Sequence, residues 1–161
     1  MGDFMKKIKW TELLIFVIGT ELAGAVSGLL AGDFSAFYST LTKPPLSPPG
    51  VVFPVVWAIL YAVMGVSAYL VYTSEAEESE KGKALILYGV QLLVNVMWSI
   101  VFFRFEKIGL ALGVLILLAV LVSAMILRFR KIRAIAGYIN IPYLLWTLFA
   151  LYLNIGFVVL N

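Results

Sequence analysis

The sequence predicts an all-α membrane protein, a bundle of five transmembrane helices with a proline-rich loop between helices 1 and 2. Three observations predict it. Of 161 residues, 63% are hydrophobic and 13% are charged, whereas soluble domains run near 45–50% apolar and about a quarter charged. The charged residues gather in short patches, which leaves five apolar segments, about 13–31, 51–72, 84–103, 108–127 and 134–160. Each is near or above the ~20 residues that cross a hydrocarbon core. At this length one domain is expected over 1–161.

The first span opens behind Trp10, which suits an interfacial aromatic belt. It carries Glu21 near its middle and no A-x-A-like cleavage signal, so it is expected to stay in the membrane. An acid at that depth costs about 2.5–3.5 kcal/mol on insertion scales and requires compensation. Glu21, Gly24, Gly28 and Gly32 share one helical face. The acid therefore either bonds to a neighbouring helix or is neutralised there, or makes a polar contact in a ligand or proton path. Gly24-x-x-x-Gly28, like Gly109-x-x-x-Gly113 in the fourth span, permits close backbone approach within one chain or between two.

The long connection from Gly32 to Gly50 holds four of the six prolines, in Lys43-Pro44-Pro45-Leu46-Ser47-Pro48-Pro49-Gly50. Proline pairs fix φ and favour extended geometry, so the loop should be stiff, as a lid or as a rigid spacer. In the second span Pro54, Trp57, Tyr61, Met64 and Ala68 form one stripe. The acidic run Glu75, Glu77, Glu78 and Glu80 reads as a solvated loop before the third span. There Gln91, Asn95 and Trp98 fall at i, i+4 and i+7 and should point inward. In the fifth span Tyr143, Thr147, Ala150 and Asn154 align, with Trp146 on the adjoining side and Pro142 positioned to kink the helix. No inverted internal repeat is apparent.

Nine of the twelve basic residues fall on the N-terminal side: Lys6, Lys7, Lys9, Lys81, Lys83, Arg128, Arg130, Lys131 and Arg133. Lys43, Arg104 and Lys107 fall on the other, so the positive-inside rule predicts a cytoplasmic N-terminus and an external C-terminus.

The chain has no Cys and no His, which removes thiolate nucleophiles, disulfides, imidazole bases, the usual zinc sites and His or Cys ligation of haem iron. No metal site is expected. A net charge of +3 is too small and dispersed to indicate nucleic-acid binding. There is no P-loop, no G-x-S-x-G and no carboxylate pair at helical spacing within a span, so a conventional hydrolase or transferase is not expected. The aromatic faces with sparse hydrogen-bonding tips suit a large, flat, mostly apolar ligand; the same faces also suit interhelical packing, with amides as glue.

The Phe37-Tyr38 pair, the proline-rich run and Phe53-Pro54-Val55-Val56-Trp57 together closely resemble the signature of the TspO/MBR family, the tryptophan-rich sensory or translocator proteins. Leu92 to Ser99 with Phe102-Phe103 resembles the family's third helix, and Ile141 to Trp146 with Phe149 to Asn154 its fifth. The resemblance implies a five-helix bundle, often dimeric, whose cavity binds porphyrins and, in animal members, cholesterol and synthetic drugs. It places Trp57 and Trp146 at positions linked in bacterial members to light-dependent porphyrin breakdown, the only setting in which they would be catalytic. Tyr38 and Asn95 match positions near the same ligand, Trp98 and Ala150 match pocket-lining positions, and the proline loop matches a lid. The full candidate ligand set is Tyr38, Pro44, Trp57, Tyr61, Asn95, Trp98, Trp146 and Ala150.

Two departures from the family pattern are Leu46, where a tryptophan often stands between the loop prolines, and Phe37, in place of the Trp of a Trp-Tyr pair. Both weaken stacking at the lid. The animal sterol motif is missing after Tyr152, and Glu21 to Gly28 is similar to the first helix of prokaryotic members. The expectation is a multi-pass protein of a prokaryotic cell membrane that binds porphyrin for sensing, sequestration or transport and requires no cofactor. Its expected partners are lipid, the porphyrin and a second copy. The alternatives are light-dependent porphyrin degradation and passive movement of lipids or other hydrophobic molecules.

Overall fold

A computed structural model of the protein describes residues 8–161; Lys6 and Lys7 lie outside the described residues. Five stretches are long and apolar enough to cross a membrane, Trp10–Ala31, Val52–Tyr72, Glu78–Arg104, Ile108–Ile132 and Ala134–Leu160. They contain α1 (Trp10–Ala31), α3 (Val52–Tyr72), α4 (Glu78–Ser99) with a π turn (Ile100–Arg104), α5 (Ile108–Ile132), and the pair α6 (Ala134–Tyr138) and α7 (Ile141–Leu160). A short helix, α2 (Phe34–Thr40), lies in the long loop. The bundle is multi-pass and all-α across the described residues.

Around the bundle α1 neighbours α3, α3 neighbours α6, α6 and α7 pack on α5, and α5 packs on α4, which closes the ring against α1. Close approach is set by two glycines. A Cβ on Gly65 would lie 2.7 Å from the Cα of Val17, so α1 and α3 touch backbone to backbone at that level. A Cβ on Gly137 would lie 2.8 Å from the Ile126 carbonyl oxygen, which seats α6 on the end of α5. Gly28, Gly109 and Gly113 have nothing within 4 Å, so neither Gly-x-x-x-Gly motif as a whole joins helices within the chain.

The inward faces read from the sequence meet in one buried hydrogen-bond chain. Tyr61 donates to Asn95 Oδ1 at 2.8 Å, Asn95 Nδ2 donates to Tyr143 Oη at 2.9 Å, and the Tyr143 hydroxyl donates to Gln91 Oε1 at 2.7 Å. It joins α3, α4 and α7 at mid-bundle. Nearby, Trp98 Nε1 donates to Asn154 Oδ1 at 3.3 Å, and Asn154 Nδ2 to the Ile108 carbonyl at 3.0 Å. A hydroxyl contact between Thr20 and Tyr88 ties α1 to α4.

Four local expectations are corrected. The third span begins at Glu78, not near residue 84, because Glu78 and Glu80 form the first turn of α4, where acids complement the helix dipole. The acidic run is accordingly more than a solvated loop: Glu80 pairs with Lys83 at 2.8 Å and Arg128 at 3.0 Å, and Glu78 with Lys81 at 2.5 Å. The fourth span extends to Ile132, its final turn carrying Arg130 and Lys131. Pro142 does not kink a continuous helix; it occupies the first turn of α7, where its missing N–H costs nothing. The break before it is held by buried Asn140, whose Nδ2 donates to Ser67 Oγ at 2.5 Å and to the Ala136 carbonyl at 2.8 Å.

The long loop is structured at both ends. Gly32 takes φ +77 at the end of α1, a conformation that glycine adopts freely, and Asp33 Oδ1 then caps α2 by accepting from the Ala36 amide at 3.0 Å. Beyond α2, Leu46 takes φ +66 after Pro45, and Ser47 N donates to the Pro44 carbonyl at 3.3 Å, closing a tight turn. The loop is stapled to α7: Tyr152 donates to the Pro45 carbonyl at 2.9 Å, Pro44 packs on Gly156, and Asn161 exchanges hydrogen bonds with Thr42.

Gly65→Ala is expected to push α1 from α3 and lower stability by about 1–3 kcal/mol, the usual cost of overpacking, while Gly113→Ala, at an open position inside α5, raises it by up to about 1 kcal/mol; thermal unfolding in detergent checks both. Asn95→Leu, which takes the acceptor from the Tyr61 hydroxyl and one donor from that of Tyr143, is expected to cost about 1–2 kcal/mol in the same assay.

Candidate functional site

A cavity of about 340 Å³ lies between α1 and α3. Glu21, Gly24, Ala25, Ser27, Gly28 and Ala31 form one wall, and Pro54, Trp57, Ala58 and Tyr61 the other. Trp98, Ser99 and Phe103 close its back and Phe34 and Phe53 its loop-side end. Its length from Glu21 to Ala31 is ten helical rises, about 15 Å. Ala25, Gly28, Pro54 and Ala58 are exposed on the flank of the bundle, so the cavity opens sideways, where the bilayer lies.

Its shape follows from side-chain size. Below the Gly65 contact the helices touch, and above it α1 presents glycine, alanine and serine towards the larger α3 residues, so the gap between the backbones is not filled. The Tyr61 ring lies against Gly24, where a Cβ would collide with it. Trp57 packs against Tyr61, Trp98 and Tyr143 with ring centroids 5.6, 6.4 and 6.1 Å apart. Ser27, buried on the cavity wall, stands beside Tyr61, the first member of the buried hydrogen-bond chain.

A second, smaller space of about 20 Å³ lies deeper under the loop, against Tyr38, Phe102, Ala150, Asn154 and Phe157. Phe53, Trp98 and Phe103 line both spaces and separate them. Tyr38 donates to the Pro48 carbonyl at 2.8 Å, and Lys43 Nζ stands 4.9 Å from its ring centroid. Burial pushes the Tyr38 phenol above its ordinary pKa, against the opposing pull of Ser47, so it remains a donor to the loop. The π turn presents both Phe102 and Phe103 inward, their rings 4.7 Å apart.

The structure brings together part of the candidate ligand set. Trp57, Tyr61 and Trp98 line the large cavity, and Tyr38, Ala150 and again Trp98 the small one. Asn95 stands behind Tyr61, 1% exposed, and lines neither. Trp146 lies beyond Phe53, with centroids 6.0 Å apart, and its indole nitrogen is buried without a hydrogen-bond partner. Pro44 packs on Gly156 at the end of α7, and Leu46 is 80% exposed at the tip of the loop turn.

Sequence reasoning did not assign Ser27, Phe34, Ala58, Ser99 or Phe103 to the site. For Ser27 the signal was the run of small residues on α1, which the Gly-x-x-x-Gly pattern directed towards helix packing; the other four lie outside the stripes that helical phase singled out. Glu21, open to either reading, stands on the cavity wall. Chemically the wall offers stacking faces, one carboxyl group and few free donors. Among the described residues no three His, Cys, Asp or Glu gather to hold a metal.

The model of the TspO/MBR family matches residues 14–160. A tryptophan-rich sensory protein of Cereibacter sphaeroides is 33% identical over 152 residues, covering 94% of this chain and 92% of its own. A tryptophan-rich protein TspO of Chlorobaculum tepidum is 34% identical over 127 residues, covering 79% and 80%. The translocator protein of Bos taurus is 29% identical over 143 residues, covering 85% of each chain. With the five-span bundle, the loop stapled over one end and the tryptophan-walled cavity, this match establishes that the chain belongs to the TspO/MBR family.

Proposed function

We propose that the lateral cavity binds a porphyrin or related tetrapyrrole and holds it for sensing, sequestration or transfer. The observation that carries this reading is the aromatic wall of Trp57, Tyr61 and Trp98 facing a cavity that opens sideways. A flat ligand stacked there buries apolar surface and gains the geometry-dependent attraction of aromatic pairs, about 0.5–1.5 kcal/mol for each. The sideways opening lets an apolar ligand enter from the bilayer and leaves room for substituents beyond the wall. Because the chain has no His or Cys, binding does not rest on such an iron ligand, and metal-free porphyrin binds comparably to haem.

The proposed setting is a prokaryotic cell membrane with the N-terminus in the cytoplasm. Lys9, Lys81, Lys83 and the Arg128–Arg133 group, at the ends of successive spans, support that orientation. Lipid is one neighbour and a second copy of the chain another, with the outward Gly109 and Gly113 offering a surface that nothing in the chain covers.

One observation favours a photochemical reading as the second choice. Trp57 and Trp98 are in ring contact, 6.4 Å between centroids, so an excited ligand on the wall sits beside two indoles. Degradation then requires light and Trp57, whereas binding does not require light.

Titration with protoporphyrin IX in the dark is expected to quench tryptophan fluorescence saturably. Trp57→Leu and Trp98→Leu should each weaken binding about two- to tenfold, the equivalent of one aromatic pair, while Trp146→Phe leaves it nearly unchanged. Absence of saturable quenching would overturn the reading. Loss of porphyrin absorbance under light, abolished by Trp57→Phe with binding retained, would select the photochemical alternative.

A further inference from the structure

We infer that Glu21 selects the ligand of the lateral cavity, accepting a hydrogen bond from an amine or other N–H group carried on a flat apolar frame. The inference rests on the reading of that cavity as a site for such a frame, and adds which chemistry the frame must bear and where.

Glu21 is the one acidic residue on the cavity wall, and no Lys or Arg shares the wall with it. Among the described residues it forms no salt bridge, while every ion pair found lies at the ends of the spans. Its carboxyl group faces the Ala62 backbone on α3 across the gap between the two helices. One backbone contact leaves most of its acceptor capacity unused, since a carboxylate offers about four lone-pair sites. An intramembrane acid retained at that cost is by default a functional group with a partner to be named.

The neighbouring polar groups cannot be that partner. Tyr61 donates to Asn95, Trp98 donates to Asn154, and Ser27 is buried beside Tyr61. These three are turned into the bundle and hold the wall in shape. Glu21 therefore waits for a donor from within the cavity. It stands at the level of Ala58 and Tyr61, about one helical turn from Trp57, so a ring system stacked on Trp57 brings a nitrogen on its edge to the carboxyl group. Charge-assisted bonds of this kind are roughly twice as strong as neutral ones, and a site built around a polar group rejects an analogue that leaves the group unpaired. The wall accordingly combines an indiscriminate surface, which takes any flat hydrocarbon, with a single discriminating atom pair.

The test compares 1-methylpyrene with 1-pyrenemethylamine on the full chain in nanodiscs of zwitterionic lipid. Energy transfer from tryptophan to pyrene is read against empty nanodiscs to remove partitioning. The wild-type protein should bind the amine about tenfold more tightly than the hydrocarbon. Glu21→Leu should abolish that preference and Glu21→Gln reduce it, both with 1-methylpyrene affinity unchanged, which also shows that the variants fold. Equal loss of both probes in the variants would make Glu21 a packing residue and overturn the inference, as would an amine preference that survives Glu21→Leu. Failure of the wild-type protein to bind either probe would overturn the reading of the cavity itself.

Discussion

Hydrocarbon solvates no polar group, and the bundle is organised around that constraint. A helix satisfies its own backbone in the bilayer, but five spans of leucine and valine would have no reason to take one arrangement, since lipid is as apolar as they are. The buried chain from Tyr61 through Asn95 and Tyr143 to Gln91 supplies the reason. Each group has its partner on a different helix, so α3, α4 and α7 can satisfy all of them in one register. A shift by one residue would turn Asn95 away from both tyrosines and strand three polar groups together.

The cavity is a consequence of the same arrangement. With Tyr61 held inward by Asn95, its ring occupies the place that Gly24 leaves, and the space beside Gly28 stays open. Trp98 is fixed in turn by Asn154 at the indole nitrogen and lines the cavity back. The helix α1 is bound to the rest where Gly65 admits Val17 and where Thr20 meets Tyr88, and little of it is buried beyond. The opening lies along α1, the least buried of the five spans, and the site is formed between that helix and α3 with the end of α4 behind them.

Much of this was legible in the sequence. Spans, loop and inward faces follow from apolar length and helical phase, and Gln91, Asn95, Tyr143, Thr147 and Asn154 are all buried as their spacing requires. Phase alone did not separate packing from binding, because it gives a direction and not a partner. Asn95 and Trp98 share one face, yet the first is consumed by two tyrosines and the second lines the cavity. The limits of α4 and the role of Pro142 were missed for a different reason. Hydropathy marks where a segment is apolar, whereas helices begin where caps, dipoles and prolines permit, and Glu78 and Pro142 are good first-turn residues.

The two tryptophans that the family resemblance treats alike occupy unlike positions. Trp57 stands on the open wall, while Trp146 lies behind Phe53 with a buried indole N–H that no acceptor meets. An unpartnered buried donor is costly, so it biases the fold towards any state that supplies an acceptor. Phe53, with Trp98 and Phe103, is also the partition between the lateral cavity and the smaller space under the loop. The loop end of the site is pinned through Tyr152, Pro44 and Asn161 to α7. A ligand on the open wall therefore meets Trp57 directly, whereas Phe53 stands between it and Trp146.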